Sequence, residues 1–316
     1  MTLRSGDGAA AAAPGAVDSA TFAEVPQGLS LPERPADAHK GTFGTVVVIG
    51  GAVGFSGAPL MSATAAARGG AGKVRLCVPE PVYPAVAAQT LEVMVHPLPA
   101  ADGGLAPAAL GVLRERHLGD ATAVVLGPGA GRAAGTEAMV LELLAALTTP
   151  TVVDADGLNI AAAHRLDWRS CGQPVVLTPH PAEMGRLLGI STADVQSQRR
   201  ELAISFARDT GTVVVLKGSD TVVAAPDGRV HLSDIRVVAL ATAGSGDVLS
   251  GLLGSFLAQG LGAFEAAVAA VYVHAEAALA VQDRLGRAGA LPRDLLEELP
   301  PSQERTRRVL EGRRSA

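Results

Sequence analysis

Seven consecutive residues, Ala241-Thr242-Ala243-Gly244-Ser245-Gly246-Asp247, set small side chains and then a carboxylate directly before the apolar run Val248 to Leu257. If that run is a helix, the unpaired backbone N–H groups of its first turn converge on one point beside Asp247. This is equipment for phosphoryl transfer. Gly244, Ser245 and Gly246 let the backbone approach and donate to a phosphate gathering negative charge, while Asp247 takes the proton of an attacking hydroxyl. The plainer alternative is a glycine-rich turn that caps a core helix and does no chemistry.

Other segments of the same kind recur. Ile49-Gly50-Gly51 and Phe55-Ser56-Gly57-Ala58 form a flexible turn before a helix from Leu60 to Arg68, without the glycine spacing of a dinucleotide fingerprint. Leu126-Gly127-Pro128-Gly129-Ala130-Gly131 is a second glycine-rich turn, open to backbone contact with a large ligand or simply a turn. Val153-Asp154-Ala155-Asp156 offers two acids that could hold Mg²⁺ through water, although capping by Asp156 and a structural role for Asp154 fit the spacing better. In Thr178-Pro179-His180-Pro181-Ala182-Glu183, two prolines fix His180, a candidate ligand contact or a satisfied polar group, and Glu183 enters the next helix. Lys217-Gly218-Ser219-Asp220-Thr221 places a cation before a small turn, suited to a nucleotide phosphate or ribose. It is not a Walker loop, whose glycines precede the lysine, and a surface lysine in a hairpin connection is the alternative.

The elements that must position these residues follow from the apolar pattern. Short β-branched runs at Thr45–Ile49, Lys73–Val78, Leu91–His96, Ala123–Leu126, Thr151–Asp154, Val175–Thr178 and Thr212–Lys217 alternate with helical stretches. The rhythm implies an α/β fold with a mostly parallel central sheet, helices on both faces, and ligands at the C-terminal edge of the strands. Pro226-Asp227-Gly228 between Thr221–Ala225 and Arg229–Leu232 predicts a hairpin at a sheet edge. Helices are expected at Val248–Gln259, Ala263–Gln282 and Pro292–Glu298. Residues 1–38, rich in Ala, Gly and Pro, read as a disordered leader, residues 39–300 as one domain, and residues 301–316 as a charged, solvated tail.

Composition narrows the function classes. A net charge of -5, scattered basic residues and few aromatics argue against a nucleic-acid partner. Cys77 and Cys171 are isolated, with no thiol at metal-ligand spacing, and no secretory pattern opens the chain, so a cytoplasmic setting is expected. The apolar stretch Ala266 to Val281 contains His274 and Glu276, so no membrane span is expected.

Taken in order, the Gly-Gly…Phe-Ser-Gly-Ala, Gly-Pro-Gly, Asp-Ala-Asp-Gly-Leu-Asn, Thr-Pro-His-Pro-Ala-Glu, Leu-Lys-Gly and Ala-Gly-Ser-Gly-Asp-Val-Leu segments resemble the ADP-dependent NAD(P)H-hydrate dehydratases of the ribokinase-like superfamily, over about residues 39–299. The resemblance implies repair of the S epimer of hydrated NADH or NADPH. Asp247 would deprotonate the ring hydroxyl, which attacks the terminal phosphate of ADP in the presence of Mg²⁺, and loss of phosphate restores the cofactor and leaves AMP. It further implies that Ala58, Gly129, His180 and Asp247 contact the hydrate, and that Lys217, Gly218, Ser219, Asp220, Thr221 and Gly246 hold the adenine nucleotide. A separate epimerase is the expected functional partner, the leader being too short to be one, and a homotetramer the expected assembly.

Two departures stand out. Ile235-Arg236-Val237-Val238-Ala239 occupies the place of the family's Gly-Asn-Pro-like turn, and His274-Ala275 that of its His-Gly. The rival readings are a kinase of the same fold acting on a thiazole, pyrimidine or sugar alcohol, and a nucleotide-binding module without catalysis.

Overall fold

The computed structural model describes residues 23–314. From the N-terminus the elements are β1 (Thr45–Ile49), α1 (Gly57–Arg68), β2 (Lys73–Pro79), α2 (Tyr83–Ala87), β3 (Met94–Leu98), β4 (Ala100–Ala101), β5 (Gly104–Leu105), α3 (Ala109–Arg116), β6 (Ala123–Leu126), α4 (Ala134–Ala146), β7 (Thr151–Val153), α5 (Asp156–Ala163), β8 (Val175–Leu177), α6 (Pro181–Leu188), α7 (Thr192–Ser197), α8 (Arg199–Thr210), β9 (Val213–Leu216), β10 (Thr221–Ala224), β11 (Val230–Ser233), α9 (Ser245–Ala258), α10 (Ala263–Leu285) and α11 (Pro292–Arg314). Nine strands form one sheet in the order β11-β10-β9-β8-β7-β6-β1-β2-β3. All neighbours pair in parallel except around β10, which runs against both β9 and β11 and makes the expected edge hairpin.

The strands are short and β-branched because both faces are covered. Successive residues point to opposite sides, so Val46 and Val48 enter the core under α1, α9, α10 and α11, while Val47 and Ile49 enter the core under α3, α4 and α5. Beyond β8 the second face is closed by α6, α7 and α8 over Val214 and Leu216. From β1 the chain moves outward through β2 and β3, then returns to the other side of β1 at β6 and continues to β9. The loops after β1 and β6 therefore flank a topological switch point, where ligand crevices form in such sheets.

α9 lies unusually close to its neighbours. A side chain on Gly251 would collide with the Ser62 backbone oxygen of α1, and one on Gly254 with Val125 of β6. Small residues thus bring the start of α9 down onto the sheet edge. Among the described residues one helix, α10, is long and apolar enough to cross a bilayer, and 78% of its apolar window is buried inside the protein, the setting of a core helix.

Two expected boundaries differ at the chain ends. Residues 1–22 lie outside the described residues, but the expected disorder fails for 23–38: Val25, Leu29 and Leu31 are buried in the core. Their backbone is pinned too, since Ala23 N donates to Glu276 Oε1 (3.0 Å) and Tyr272 Oη donates to Ala23 O (3.0 Å). Likewise residues 301–314 are no solvated tail. Helix α11 continues through Pro300 and Pro301, buries Ser302, Gln303 and Thr306, and uses Arg307 and Arg313 to donate to Pro32 O (2.7 Å) and Val25 O (2.9 Å). Two of the arginines that suggested solvation in the sequence, Arg307 and Arg313, are spent on the backbone of the N-terminal segment. The smaller shift at β3, which starts at Met94 rather than Leu91, follows its register against Arg75 and leaves Leu91 exposed.

Candidate active site

The first turn of α9 is built by its sequence. Gly244 is the N-cap in a left-handed conformation (φ 95°), and a Cβ there would sit 2.7 Å from Met61 Cε and 2.8 Å from Pro292 Cγ. Ser245, Gly246 and Asp247 are the next three positions. Ser245 Oγ donates to Leu240 O (2.9 Å), and the buried His274 donates from Nε2 to Ser245 O (3.0 Å), which anchors the turn from α10. Among the described residues the amides of Gly246 and Asp247 have no acceptor, so two donors and the positive end of a 14-residue helix face outward.

They face a cavity of about 680 Å³ at the C-terminal ends of β7, β8 and β9. On its floor, Lys217 Nζ lies 2.9 Å from Asp154 Oδ1 and 4.0 Å from Glu183 Oε2, and a Cβ on Gly246 would be only 3.2 Å from it. Asp154 is 1% exposed and Glu183 5%. Burial works against the charged form of Lys217, but the carboxylates of Asp154, Glu183 and Asp247 outweigh it and hold the ammonium above its ordinary pKa. For Asp247 the balance is opposite: burial, reinforced by Asp154 and Glu183, pushes its carboxyl up to about 7 despite Lys217. Glu183 is likewise pushed up to about 7, by burial first and Asp154 second, against the pull of Lys217. One ammonium thus serves three carboxylates, and the site holds a base whose pKa suits proton transfer near neutrality.

His180 is shaped by its neighbours. Its Nδ1 accepts from Ala182 N (3.1 Å) and Glu183 N (3.2 Å), while Glu183 Oε2 accepts from His180 N (2.8 Å), a reciprocal capping box at the start of α6. The second ring nitrogen therefore carries the hydrogen, and Nε2 lies 3.3 Å from Glu183 Oε1. Burial, then Lys217 and Arg186, lower the imidazole pKa, so the half-exposed ring is neutral.

The structure brings His180, Lys217, Gly218, Ser219, Thr221, Gly244, Ser245, Gly246 and Asp247 onto the wall of one cavity. Ala58 and Gly129 lie together elsewhere, at the switch point, where a Cβ on Gly129 would be 3.2 Å from that of Ala58. Asp220 turns outward and pairs with Arg236 (2.7 Å). The reading of Asp156 as a cap is corrected. Ala155 is the N-cap of α5, and Asp156 instead accepts from Gly131 N (2.9 Å) and Asn159 Nδ2 (3.3 Å), tying the glycine turn after β6 to α5. Asp154 has the structural role expected of it, as the partner of Lys217. The divergent segment from Ile235 to Val238 forms part of the cavity wall.

Two contributors have no signal in the sequence. Arg199, at the start of α8, donates to Leu216 O (2.8 Å), Lys217 O (3.2 Å) and Asp220 O (2.9 Å), which clamps the turn carrying Lys217. The arginine follows no motif and sits some twenty residues from what it holds. The other is the pairing of Asp154 with Lys217 across 63 positions, visible only once β7 and β9 are neighbours of β8.

No group of three or more metal-ligating side chains occurs among the described residues. The donor set suits a divalent cation carried mainly by phosphate oxygens and water, with Asp154 as a carboxylate partner, which is how Mg²⁺ is commonly bound with nucleotides.

This geometry agrees with what the chain resembles. The model of the NAD(P)H-hydrate dehydratase family matches residues 46–301. The ADP-dependent (S)-NAD(P)H-hydrate dehydratase of Neisseria meningitidis serogroup B is 42% identical over 274 residues, covering 85% of this chain and 86% of that one. The bifunctional NAD(P)H-hydrate repair enzyme of Moorella thermoacetica is 41% identical over 271 residues, covering 85% of this chain but 51% of that one, so the chain spans about half the length of such bifunctional relatives. Among solved structures, the ADP/ATP-dependent NAD(P)H-hydrate dehydratase from Bacillus subtilis, co-crystallized with ATP and Mg²⁺, superposes with a TM-score of 0.76 at 31% identity over 87% of this chain and 94% of that one. With the family model spanning most of its length, the chain belongs to the NAD(P)H-hydrate dehydratase family.

Proposed function

We propose that this chain dehydrates the S epimer of NAD(P)H hydrate at the expense of ADP, restoring NADH or NADPH and releasing AMP and phosphate. The observation that carries the proposal is the convergence of the Asp247 carboxylate, the free Gly246 and Asp247 amides and the Lys217 ammonium on one cavity in a chain of this family.

Hydroxide is a poor leaving group, so the ring hydroxyl must first be phosphorylated. Asp247, tuned to about 7, accepts its proton as the oxygen attacks the terminal phosphorus. The α9 amides and Lys217 face the oxygens on which charge accumulates, and being fixed before reaction they need little reorganisation. Mg²⁺ bound with the nucleotide would offset the remaining phosphate charge, and Asp154 would hold it through water. Lys217, Gly218, Ser219, Asp220, Thr221 and Gly246 are the proposed nucleotide contacts, with Asp220 acting from the rim through its pair with Arg236. The hydrate would reach from Ala58 and Gly129 at the switch point to His180 and Asp247, consistent with the neutral, Nε2-protonated imidazole, which can donate to a ligand.

An S-specific enzyme leaves the R epimer unrepaired, so an epimerase activity is the expected functional partner. A homotetramer and a cytoplasmic setting complete the proposal. The test is near-ultraviolet absorbance of the reduced ring after mixing the protein with Mg²⁺, hydrated cofactor and either ADP or ATP, with AMP and phosphate assayed in parallel. A rise accompanied by AMP and phosphate supports the dehydratase and identifies the donor. A stable phosphorylated thiazole, pyrimidine or sugar with no absorbance rise would assign the chain to the small-alcohol kinases instead.

A further inference from the structure

Among the side chains on the cavity wall only Lys217 and Arg236 are cations, because burial keeps His180 and His274 neutral. Lys217 is already drawn on heavily. Asp154, Glu183 and Asp247 share its ammonium, and Asp154 takes it at 2.9 Å. A nucleoside diphosphate brings further negative charge into the same space, so the cavity calls for a second cation beside the α9 amides. Arg236 has the geometry of that cation. Its Nε (3.0 Å) and Nη2 (2.7 Å) both donate to Asp220 Oδ1, so the carboxylate grips one edge of the guanidinium, while Nη1 has no partner among the described residues. The pair is open to solvent, the Arg236 side chain being 70% exposed and that of Asp220 53%. An exposed pair holds its partners weakly, whereas a phosphate offers the planar fork more charge and several acceptor oxygens.

Asp220 places this guanidinium beside the turn that carries Lys217. A single nitrogen, Arg199 Nη2, donates to both Lys217 O (3.2 Å) and Asp220 O (2.9 Å), so the two carbonyls are neighbours. Thr221 Oγ1 donates to Gly218 O (2.9 Å) and closes the turn from its other end. Lys217 Nζ in turn lies 3.2 Å from where a Cβ on Gly246 would stand, next to the free α9 amides. Arg236 at the mouth, Lys217 on the floor and the first turn of α9 thus border one continuous cavity.

We infer that Arg236 recognises phosphate in the nucleotide site, donating from Nη1 to a phosphate oxygen of ADP while Asp220 holds its other edge. The inference rests on the nucleotide site of the dehydratase reading. It gives the divergent segment a purpose, since Arg236 supplies a cation where a Gly-Asn-Pro-like turn has none. The hydrated cofactor also carries phosphates, but its proposed contacts at Ala58 and Gly129 lie at the switch point, apart from the wall that holds Arg236.

The experiment titrates the full chain calorimetrically with ADP and Mg²⁺, with adenosine and with NADPH, in the wild type, Arg236→Gln, Arg236→Lys, Asp220→Asn and the double variant Asp220→Asn/Arg236→Gln. Both side chains are exposed, so the variants should melt with the wild type. Arg236→Gln should bind ADP about tenfold more weakly, the loss expected of one charge-assisted hydrogen bond, with adenosine and NADPH little changed. Arg236→Lys keeps the charge without the fork and should recover the affinity only in part. The double variant separates contact from charge cancellation. It should bind ADP several-fold more weakly than Asp220→Asn alone. Equal affinities of those two proteins would overturn the inference, because Arg236 would then merely cancel the rim carboxylate. A loss of the same size for adenosine would overturn it by pointing to a disturbed wall, and a loss confined to NADPH by pointing to a cofactor contact. A wild type that does not bind ADP would overturn the nucleotide site itself, which is distinguishable from ADP binding that ignores Arg236→Gln.

Discussion

Replacing Lys217 with Met removes the one ammonium on the cavity floor while keeping the volume of the side chain. Asp154, 1% exposed and 2.9 Å from Nζ, is left as a buried charge without its partner, and Glu183 and Asp247 lose their opposing field. Breaking a buried pair in this way costs about 3–5 kcal/mol, which for a domain of this size lowers the melting temperature by on the order of 10 °C. The same loss raises the Asp247 carboxyl further, since Lys217 is the cation that holds it down, and an opposite charge at this range is worth about one pKa unit or more. Thermal unfolding of the nucleotide-free protein and the pH profile of kcat/KM test both effects. The acid limb, near pH 7 in the wild type, should move to about 8 or above. Adding Asp154→Asn should return part of the lost stability by removing the stranded charge, without restoring turnover. A Lys217→Met protein that melts within a degree or two of the wild type and keeps its acid limb would refute the charge balance argued for this site.

Other expectations follow from individual contacts. The folded pKa of Asp247, about 7, lies above the unfolded 3.8, so its contribution to stability is fully present below about pH 4 and is lost as pH rises through 7. Asp247→Asn should therefore stabilise the nucleotide-free protein at pH 8.5 by on the order of a few kcal/mol, read as a higher melting temperature than the wild type, with little effect at pH 3.5; the same shift relative to the wild type at both pH values would contradict the burial of that charge. Gly251→Ala forces a methyl onto Ser62 O, so α9 must move from α1, and a loss of about 2–3 kcal/mol in chemical unfolding should accompany a fall in kcat. Unchanged kcat would separate helix packing from the placement of Asp247. Deleting residues 301–316 removes buried Gln303 and Thr306 and the arginine bonds to the N-terminal segment, and should cost several kcal/mol in denaturant unfolding, whereas a solvated tail would cost nothing.

Most of the sheet is legible in the sequence because its strands are continuous β-branched runs between turn residues, and Asp247 is legible because glycines before an acid and an apolar run mark a helix start. Lys217 and His180 stand out through their lysine-glycine and proline-flanked settings. What the sequence hides is partnership across distance. That Lys217 serves Asp154 and Glu183 depends on β7, β8 and β9 lying side by side, and that Arg199 clamps the lysine turn depends on how α8 returns to β9. The chain ends mislead for a related reason. Ala-rich and Arg-rich composition suggests solvation locally, but Val25, Leu29 and Leu31 find a helical surface, and Arg307 and Arg313 find free carbonyls, in a part of the chain some 280 residues away. Pro300 and Pro301 predict a helix end, yet the packed turns on either side carry α11 through them.

The central claim is that the Asp247 carboxylate, raised to a pKa of about 7, is the base for phosphoryl transfer to a hydroxyl bound in this cavity. The most direct test is a single-turnover reaction of hydrated cofactor and nucleotide with Mg²⁺, followed by near-ultraviolet absorbance and AMP formation, in the wild type and Asp247→Asn. Nucleotide affinity is measured on the same samples. The account predicts that the variant binds nucleotide within a few-fold of the wild type but forms both AMP and reduced cofactor at least a hundredfold more slowly. An Asp247→Asn protein that forms AMP at close to the wild-type rate would contradict it.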